Sequence, residues 1–249
     1  GYRPLLVTAT TDIPTDIGRR NLVNLKERGF DMVEFTPNPV VRRKLMRIAL
    51  EEVGDIEWPE HAAIFSTPVR VAKEMGIGIV LYGENPQDDL SGGPQSAIVL
   101  DKRWREEYGG LLGLRPADLI GREGITAQDM WAYEWPGDDT GVRALFLGQF
   151  FEWDGMVNAE IARAHGFTGI VTEEGLLADS ENLDNAVIGI HDYFAFLKYG
   201  FGRTSVRCSL DIRRGRRSRD EAVALARKYD AAYPDSYMGV PLSDVLREI

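Results

Sequence analysis

Three stretches of this chain bring together residue types whose spacing suits chemistry. The first is Gly83-Glu84-Asn85-Pro86-Gln87, which follows directly on the apolar run IGIVLY at 77–82. A glycine there lets a ligand approach the backbone, Glu84 can hold a metal or accept a ribose hydroxyl, and Asn85 and Gln87 are neutral donors. An exposed turn closed by Pro86 has the same composition, so the residues alone leave both readings open. The second stretch is 182–203, where Leu183, Val187, Ile190, Phe194 and Leu197 step by four and three and predict one apolar helix face. Asp184, His191 and Lys198 recur every seventh residue along one flank of that face, while Asn185 and Asp192 turn further round. Either these polar groups face a ligand, or His191 is held between Asp184 and Lys198 in a structural network, since buried polar groups need partners. The third stretch is Arg213-Arg214-Gly215-Arg216-Arg217-Ser218-Arg219, five arginines in seven residues. A solvated face is one reading; the sharper one is that Arg203, Arg213 and Arg214 bind phosphate, because planar guanidinium forks match phosphate oxygens.

The remaining candidates carry weaker signals. His61, in Trp58-Pro59-Glu60-His61, precedes an expected helix and could contact a ligand or cap that helix. His165 lies before Gly166, at an expected helix end where a positive charge is favourable without any function. Cys208 has no nearby histidine and reads as structural. Three scattered histidines and one cysteine show no ligand spacing, so no metal site is expected from them.

The elements that must position these residues alternate. Residues 4–8 (PLLVT), 32–35, 77–82 and 144–147 read as short strands. Between them lie helix patterns: 15–28 stopped by Gly29, then a helix from Asn38-Pro39 to about Val53, then one opened by Thr67-Pro68 and ended by Gly76. Residues 88–141 read less regularly, with a turn at Ser91-Gly92-Gly93-Pro94 and a capping pair at Thr126 and Asp129. The last third reads as helical, with a capping box at Ser218 to Glu221. This order predicts an α/β fold, a parallel sheet with helices on both faces, and a helical carboxyl-terminal region. Ligands of such sheets bind beyond the carboxyl ends of the strands, which directs attention to Thr8 and the residues after it, to 36–38, to 83–87 and to 148–154 with Asp154. No glycine-rich loop leading into a helix follows the first strand, so the chain reads as if it began at a second strand.

Composition narrows the function classes. The 249 residues suffice for a sizeable core, and 44% hydrophobic with 27% charged residues is ordinary globular composition. A net charge of -10 opposes non-specific binding to nucleic acid. No run of eighteen apolar residues and no basic-then-apolar leader is visible, and one cysteine forms no internal disulfide; a cytoplasmic protein without membrane or nucleic-acid partners is expected.

The chain resembles the N-acetyl sugar amidotransferase family. The resemblance runs through Asp16-Ile17-Gly18-Arg19-Arg20-Asn21-Leu22, Glu34-Phe35-Thr36-Pro37-Asn38, Trp58-Pro59-Glu60-His61, residues 83–87, Phe146-Leu147-Gly148, Trp153-Asp154-Gly155, Glu181-Asn182-Leu183-Asp184-Asn185, Gly189-Ile190-His191-Asp192-Tyr193, Gly200-Phe201-Gly202-Arg203 and Leu210-Asp211-Ile212-Arg213-Arg214-Gly215-Arg216. It implies an adenine-nucleotide α-hydrolase fold of the ATP-pyrophosphatase type. Residues 1–150 would be the core, lacking its first strand and its Ser-Gly-Gly-Lys-Asp-Ser phosphate loop, and 151–249 a mainly helical substrate-binding region. Zinc would belong only to the missing amino-terminal part.

The implied reaction converts the acetamido group of a nucleotide-linked sugar to an acetamidino group for a bacterial surface polysaccharide, with ATP and Mg2+. The amide oxygen would attack the α-phosphorus of ATP, pyrophosphate would leave, and ammonia would then displace AMP. Ammonia would come from a separate glutaminase with an ammonia-conducting partner of the imidazole-glycerol-phosphate-synthase type. Thr8, Gly83, Glu84, Asn85 and Gln87 are the expected nucleotide contacts. His61, Asp154, Asp184, His191, Asp192, Lys198, Arg203, Arg213 and Arg214 are the expected sugar-nucleotide contacts; no residue is singled out for proton transfer. Another ATP-pyrophosphatase of the tRNA-modifying type, or a non-catalytic scaffold that has lost ATP, are the alternatives.

Overall fold

The structure, a computed structural model, describes residues 2–86, 99–170 and 179–249. Gln87 and the expected turn at 91–94 lie outside the described residues. The elements run β1 (Leu6–Ala9), α1 (Asp16–Glu27), β2 (Met32–Phe35), α2 (Pro39–Val53), α3 (Trp58–Glu74), β3 (Ile79–Tyr82), β4 (Val99–Leu100), α4 (Lys102–Tyr108), β5 (Arg143–Phe146), α5 (Gly155–Ala164), α6 (Ile188–Tyr199), α7 (Arg203–Arg213), α8 (Arg219–Tyr229), β6 (Ser236–Tyr237), β7 (Val240–Pro241) and α9 (Leu242–Glu248). The protein is therefore α/β, as its alternating pattern predicts.

Several starts follow from local chemistry. Thr15 caps α1 by accepting from Gly18 N at 3.1 Å, and Asn38 caps α2 by accepting from Val40 N at 3.0 Å with Pro39 in the first turn. At α8 the box is reciprocal: Ser218 Oγ accepts from Glu221 N, and the Glu221 carboxylate accepts from Ser218 N at 2.9 Å. Thr126 and Asp129 pair the same way, at the start of a short 3-10 turn.

The expected break at Thr67-Pro68 is absent, because α3 runs unbroken from Trp58 to Glu74 with Pro68 inside it. An interior proline costs about 3 kcal/mol. Trp58, Ala62, Phe65, Val69 and Ala72 form one buried face along the whole helix, and each large side chain among them contributes about 1.5–3 kcal/mol on burial. That face outweighs the proline.

The single parallel sheet of the sequence reading is also corrected. The described strands form separate sheets: β1 with β2, parallel; β3 with β5, parallel, with β4 antiparallel on the other edge of β5; and a hairpin of β6 with β7. Among the described residues no ladder joins β1 to β3. β4 pairs with β5 through only two residues, Val99 opposite Leu145 and Leu100 opposite Ala144.

The chain divides into two compact units. The first comprises 1–11, 29–49 and 58–154, and the second 12–28, 50–57 and 155–249. In the first, α3 packs against β1 and β3. An aromatic cluster stands beside the β3–β5 ladder: Trp104 to Phe146 at 4.7 Å between centroids, Phe65 to Trp104 at 5.5 Å and edge-on, and Phe65 to Tyr82 at 5.6 Å. Burial pushes the Tyr82 hydroxyl well above its ordinary value, with the Glu84 charge adding to the rise, so it stays protonated and donates to Phe65 O at 2.9 Å. The second unit has its own core, in which Ile17, Leu183, Ile188 and Tyr237 meet.

Candidate functional site

In the first unit, β3 and β5 run parallel in register, so the loops after them leave the same end of the sheet. Gly148 N donates to Glu84 O at 3.0 Å, and a Cβ at Gly148 would lie 2.4 Å from Asn85 Cβ, so only glycine permits this contact. A Cβ on Gly83 would approach Trp153 to 3.8 Å. Gly83, Glu84 and Asn85 are thus gathered with Gly148 at one strand end. Thr8 is in β1, in the other sheet, with its hydroxyl on Ala9 O at 3.2 Å. His61 is not ahead of a helix but in the first turn of α3, against Gly110, whose added Cβ would come within 2.8 Å of Nδ1. Asp154 immediately precedes α5. Among the described residues no group of three or more His, Cys, Asp or Glu side chains could hold a metal ion.

The second unit holds a cleft of about 260 Å3. Its walls are α6, the amino-terminal end of α7, and the segment 229–237 that leaves α8 and enters the β6–β7 hairpin. The motif Gly200-Phe201-Gly202-Arg203 builds one wall. Gly200, at φ 75°, ends α6 in the left-handed conformation and donates its N–H to Phe196 O at 2.8 Å. Gly202 makes room for Asp230, whose Oδ1 would stand 2.7 Å from a Cβ there. Asp230 then caps α7 from outside: it accepts from Thr204 N at 2.9 Å, from Ser205 N at 3.2 Å and from Ser205 Oγ at 2.6 Å.

Arg203 closes side-on over Asp192, with Nε to Oδ2 at 2.7 Å and Nη2 to Oδ1 at 2.8 Å. With the Asn182 amide turned so that its oxygen faces the guanidinium, it accepts from Arg203 Nε at 2.7 Å as well. Both partners keep about a quarter of their side-chain surface in solvent. Opposite them, Tyr193 meets Tyr233 edge-on at 5.4 Å, Tyr229 lies under the Lys228 ammonium at 4.6 Å, and Tyr237 packs on Gly189 and donates from Oη to Asn182 O at 2.8 Å.

The expected stack of Asp184, His191 and Lys198 does not form. Helix α6 begins at Ile188, so Leu183 and Asp184 lie ahead of it, and Leu197 is exposed at the far end of the expected apolar face. Residues 182–186 are instead tied to the segment before α1: Thr15 N donates to Asp184 O at 3.0 Å, Ala186 N donates to Ile13 O at 3.0 Å, and Pro14 bridges Asn185. Asn182 takes φ 52°, which no helix admits. His191 Nδ1 lies 2.8 Å from Asp55 Oδ1, and Lys198 Nζ donates to Val53 O at 3.3 Å. Asp55 is buried, and beside it the buried Asn185 amide donates to the buried Glu57 carboxylate at 2.8 Å. His191 therefore belongs to a polar network, with different partners from those expected.

The arginine set is divided as well. Arg203 opens α7, whereas Arg213 ends it and Arg214 follows at its C-cap, about 15 Å along the axis at 1.5 Å per residue. Arg216 and Arg217 reach Asp211 at 3.0 and 3.5 Å. Cys208 is buried in α7, and desolvation pushes its thiol up. Of the cleft, sequence reasoning found Asp192 and Arg203 and missed Tyr193, Asp230 and the run Tyr229, Tyr233, Tyr237. That run was a usable signal, since three of the nine tyrosines stand four residues apart around Pro234 and two aspartates.

Comparison with protein families matches residues 164–240 to the family described as LPS biosynthesis protein WbpG-like, C-terminal domain. The match ties this part of the chain to lipopolysaccharide biosynthesis. No curated protein matches the chain. Among the described residues no helix is long and apolar enough to cross a membrane.

Proposed function

We propose that the chain is part of a biosynthetic enzyme, an ATP-dependent amidotransferase that converts the acetamido group of a nucleotide-linked sugar to an acetamidino group through an adenylated intermediate. The observation that carries this reading is one of position: every residue lining the cleft, from Gly189 to Tyr237, falls within the matched span 164–240. A built cleft inside the part tied to lipopolysaccharide biosynthesis is where a surface-sugar precursor would be held.

The first unit supports the nucleotide side of the reading. Its two parallel ladders, β1–β2 and β3–β5, each set one strand, β1 and β3, against the same helix α3. Ile79 and Leu81 on β3 are 58% and 56% exposed, an apolar face that a further helix would cover. In this reading a strand, phosphate loop and helix outside the present sequence complete the site, and Gly83, Glu84 and Asn85 border the nucleotide. Ammonia would be delivered by a glutaminase with a conducting partner, since neutral pH leaves little of it unprotonated.

The test is to incubate the longest gene product containing this chain with ATP, ammonium and a panel of nucleotide-linked N-acetyl sugars. AMP and pyrophosphate should form only with an acceptor sugar present, and mass spectrometry should find one oxygen replaced by NH. Sugar-dependent AMP release without that replacement would end the amidotransferase reading. Binding of the sugar without any turnover would favour a non-catalytic subunit.

A further inference from the structure

We propose that the cleft takes the sugar ring itself and not the phosphates of the sugar nucleotide, with Tyr229 and Tyr233 as the stacking wall, Asp192 and Asp235 as hydroxyl acceptors, and Arg203 as a positioning residue for Asp192. The inference rests on the reading above for its biological substrate, but its physical grounds are separate.

Size comes first. At about 260 Å3 the cleft lies below the roughly 300–1,000 Å3 of sites that enclose drug-sized ligands, so what it surrounds is of the order of a single ring, with the rest of a nucleotide sugar left outside it. Charge comes second. Asp192, Asp230 and Asp235 line the cleft against Arg203 as the arginine of its lining. Arg203 has both arms of its fork on Asp192, which leaves the lining with excess negative charge. A phosphate entering here would meet carboxylates at close range and would have to displace Asp192 from a two-point ion pair. Neutral hydroxyls are donors as well as acceptors, and each carboxylate oxygen of Asp192 has lone-pair capacity beyond its one arginine contact.

The walls agree with this chemistry. Tyr233 is 59% exposed, and Tyr193 braces it edge-on from α6, so a ring held without being buried is offered to a ligand. Sugar rings present apolar C–H faces to aromatic planes and hydroxyls at their rims, which matches tyrosines on one side and aspartates on the other. Asp230 is committed to capping α7 and takes no part as an acceptor. Arg203 acts through Asp192: its two bonds hold the carboxylate on α6 at a fixed angle to the tyrosines.

The experiment uses the intact protein and three probes, N-acetylglucosamine, N-acetylmannosamine and UDP, read by saturation-transfer NMR and calorimetry. At least one free amino sugar should bind, Tyr233→Ala should weaken it about tenfold or more, and Tyr233→Phe should leave it within about twofold. Arg203→Lys, which cannot make the two-point contact, should weaken sugar binding while UDP binding stays as in the unaltered protein. If neither sugar binds, or if Tyr233→Ala leaves sugar affinity unchanged, the proposal is overturned. It is likewise overturned if UDP competes with the sugar and loses affinity in Arg203→Lys, because Arg203 would then be a phosphate ligand. None of these readouts uses ATP or turnover, so the sugar site can stand if the amidotransferase reading falls, and can fall if that reading stands.

Discussion

At the amino-terminal end of α7 an arginine beside a glycine closes on one carboxylate with both arms of its fork, and the carboxylate belongs to another helix. At the carboxyl-terminal end two arginines beside a glycine share Asp211 of the same helix at longer range, 3.0 Å for Arg216 and 3.5 Å for Arg217. The two ends are alike in sequence, and side-chain exposure at the ion pairs is similar, so neither composition nor burial separates them. What separates them is the distance in sequence to the partner. Asp192 and Asp230 are brought to the first end by the fold and make it one wall of a cleft, whereas Asp211 is local and would be present in an isolated helix.

The largest expected effect that tests this contrast is at Asp230. Asp230→Ala removes an acceptor shared by two backbone amides and a hydroxyl at the start of α7, and should cost about 2–3 kcal/mol in urea unfolding with the slope unchanged. Gly202→Ala should be tolerated better in that background than alone, since the atom its Cβ would strike is gone. A loss under about 0.5 kcal/mol for Asp230→Ala would erase the difference between the two ends.

Next in size is the pair Arg203→Ala and Arg217→Ala. The first breaks a two-point ion pair and should cost about 1–2 kcal/mol; the second breaks an approach of 3.5 Å at a partly solvated site and should cost about 0–0.5 kcal/mol. Equal losses would show that the fork geometry contributes nothing.

A third effect concerns the local box that follows α7. Hydrogen bonds from the Ser218 hydroxyl and backbone hold the Glu221 carboxyl below its ordinary value. Because the folded value is depressed, its contribution is present above the ordinary glutamate range and is lost as pH falls through the folded value. NMR titration should therefore find Glu221 below the usual range, and Ser218→Ala should return it toward that range while costing about 1 kcal/mol in unfolding. An unmoved titration would mean that the box is not formed in solution.

What could be read from the sequence were features whose physics is contained within a few residues. Asn38-Pro39 starts α2, Ser218 with Glu221 starts α8, and Thr126 pairs with Asp129, because a short polar side chain meets a backbone amide two or three positions away whatever the rest of the chain does. The strand at 32–35 and the parallel pairing of β3 with β5 followed from apolar runs separated by long connections. Pro68 was misread for the complementary reason: its local penalty is real, but the buried face from Trp58 to Ala72 is a tertiary gain that no window around Pro68 displays.

The cleft shows the same division. Sequence by itself marked Asp192, His191 and Arg203 as polar groups on or beside an apolar helix. The periodicity that extended this helix back to Leu183 was overruled by backbone bonds from 13–15 to 184–186, partners some 170 residues away. Those bonds removed Asp184 from the flank of His191 and left His191 to Asp55. Only the tertiary structure decided that Arg203 closes on Asp192 and that Asp230 caps α7. It also decided that tyrosines four apart in sequence face them across a cleft, because each pairing depends on groups that approach one another only after the chain has packed.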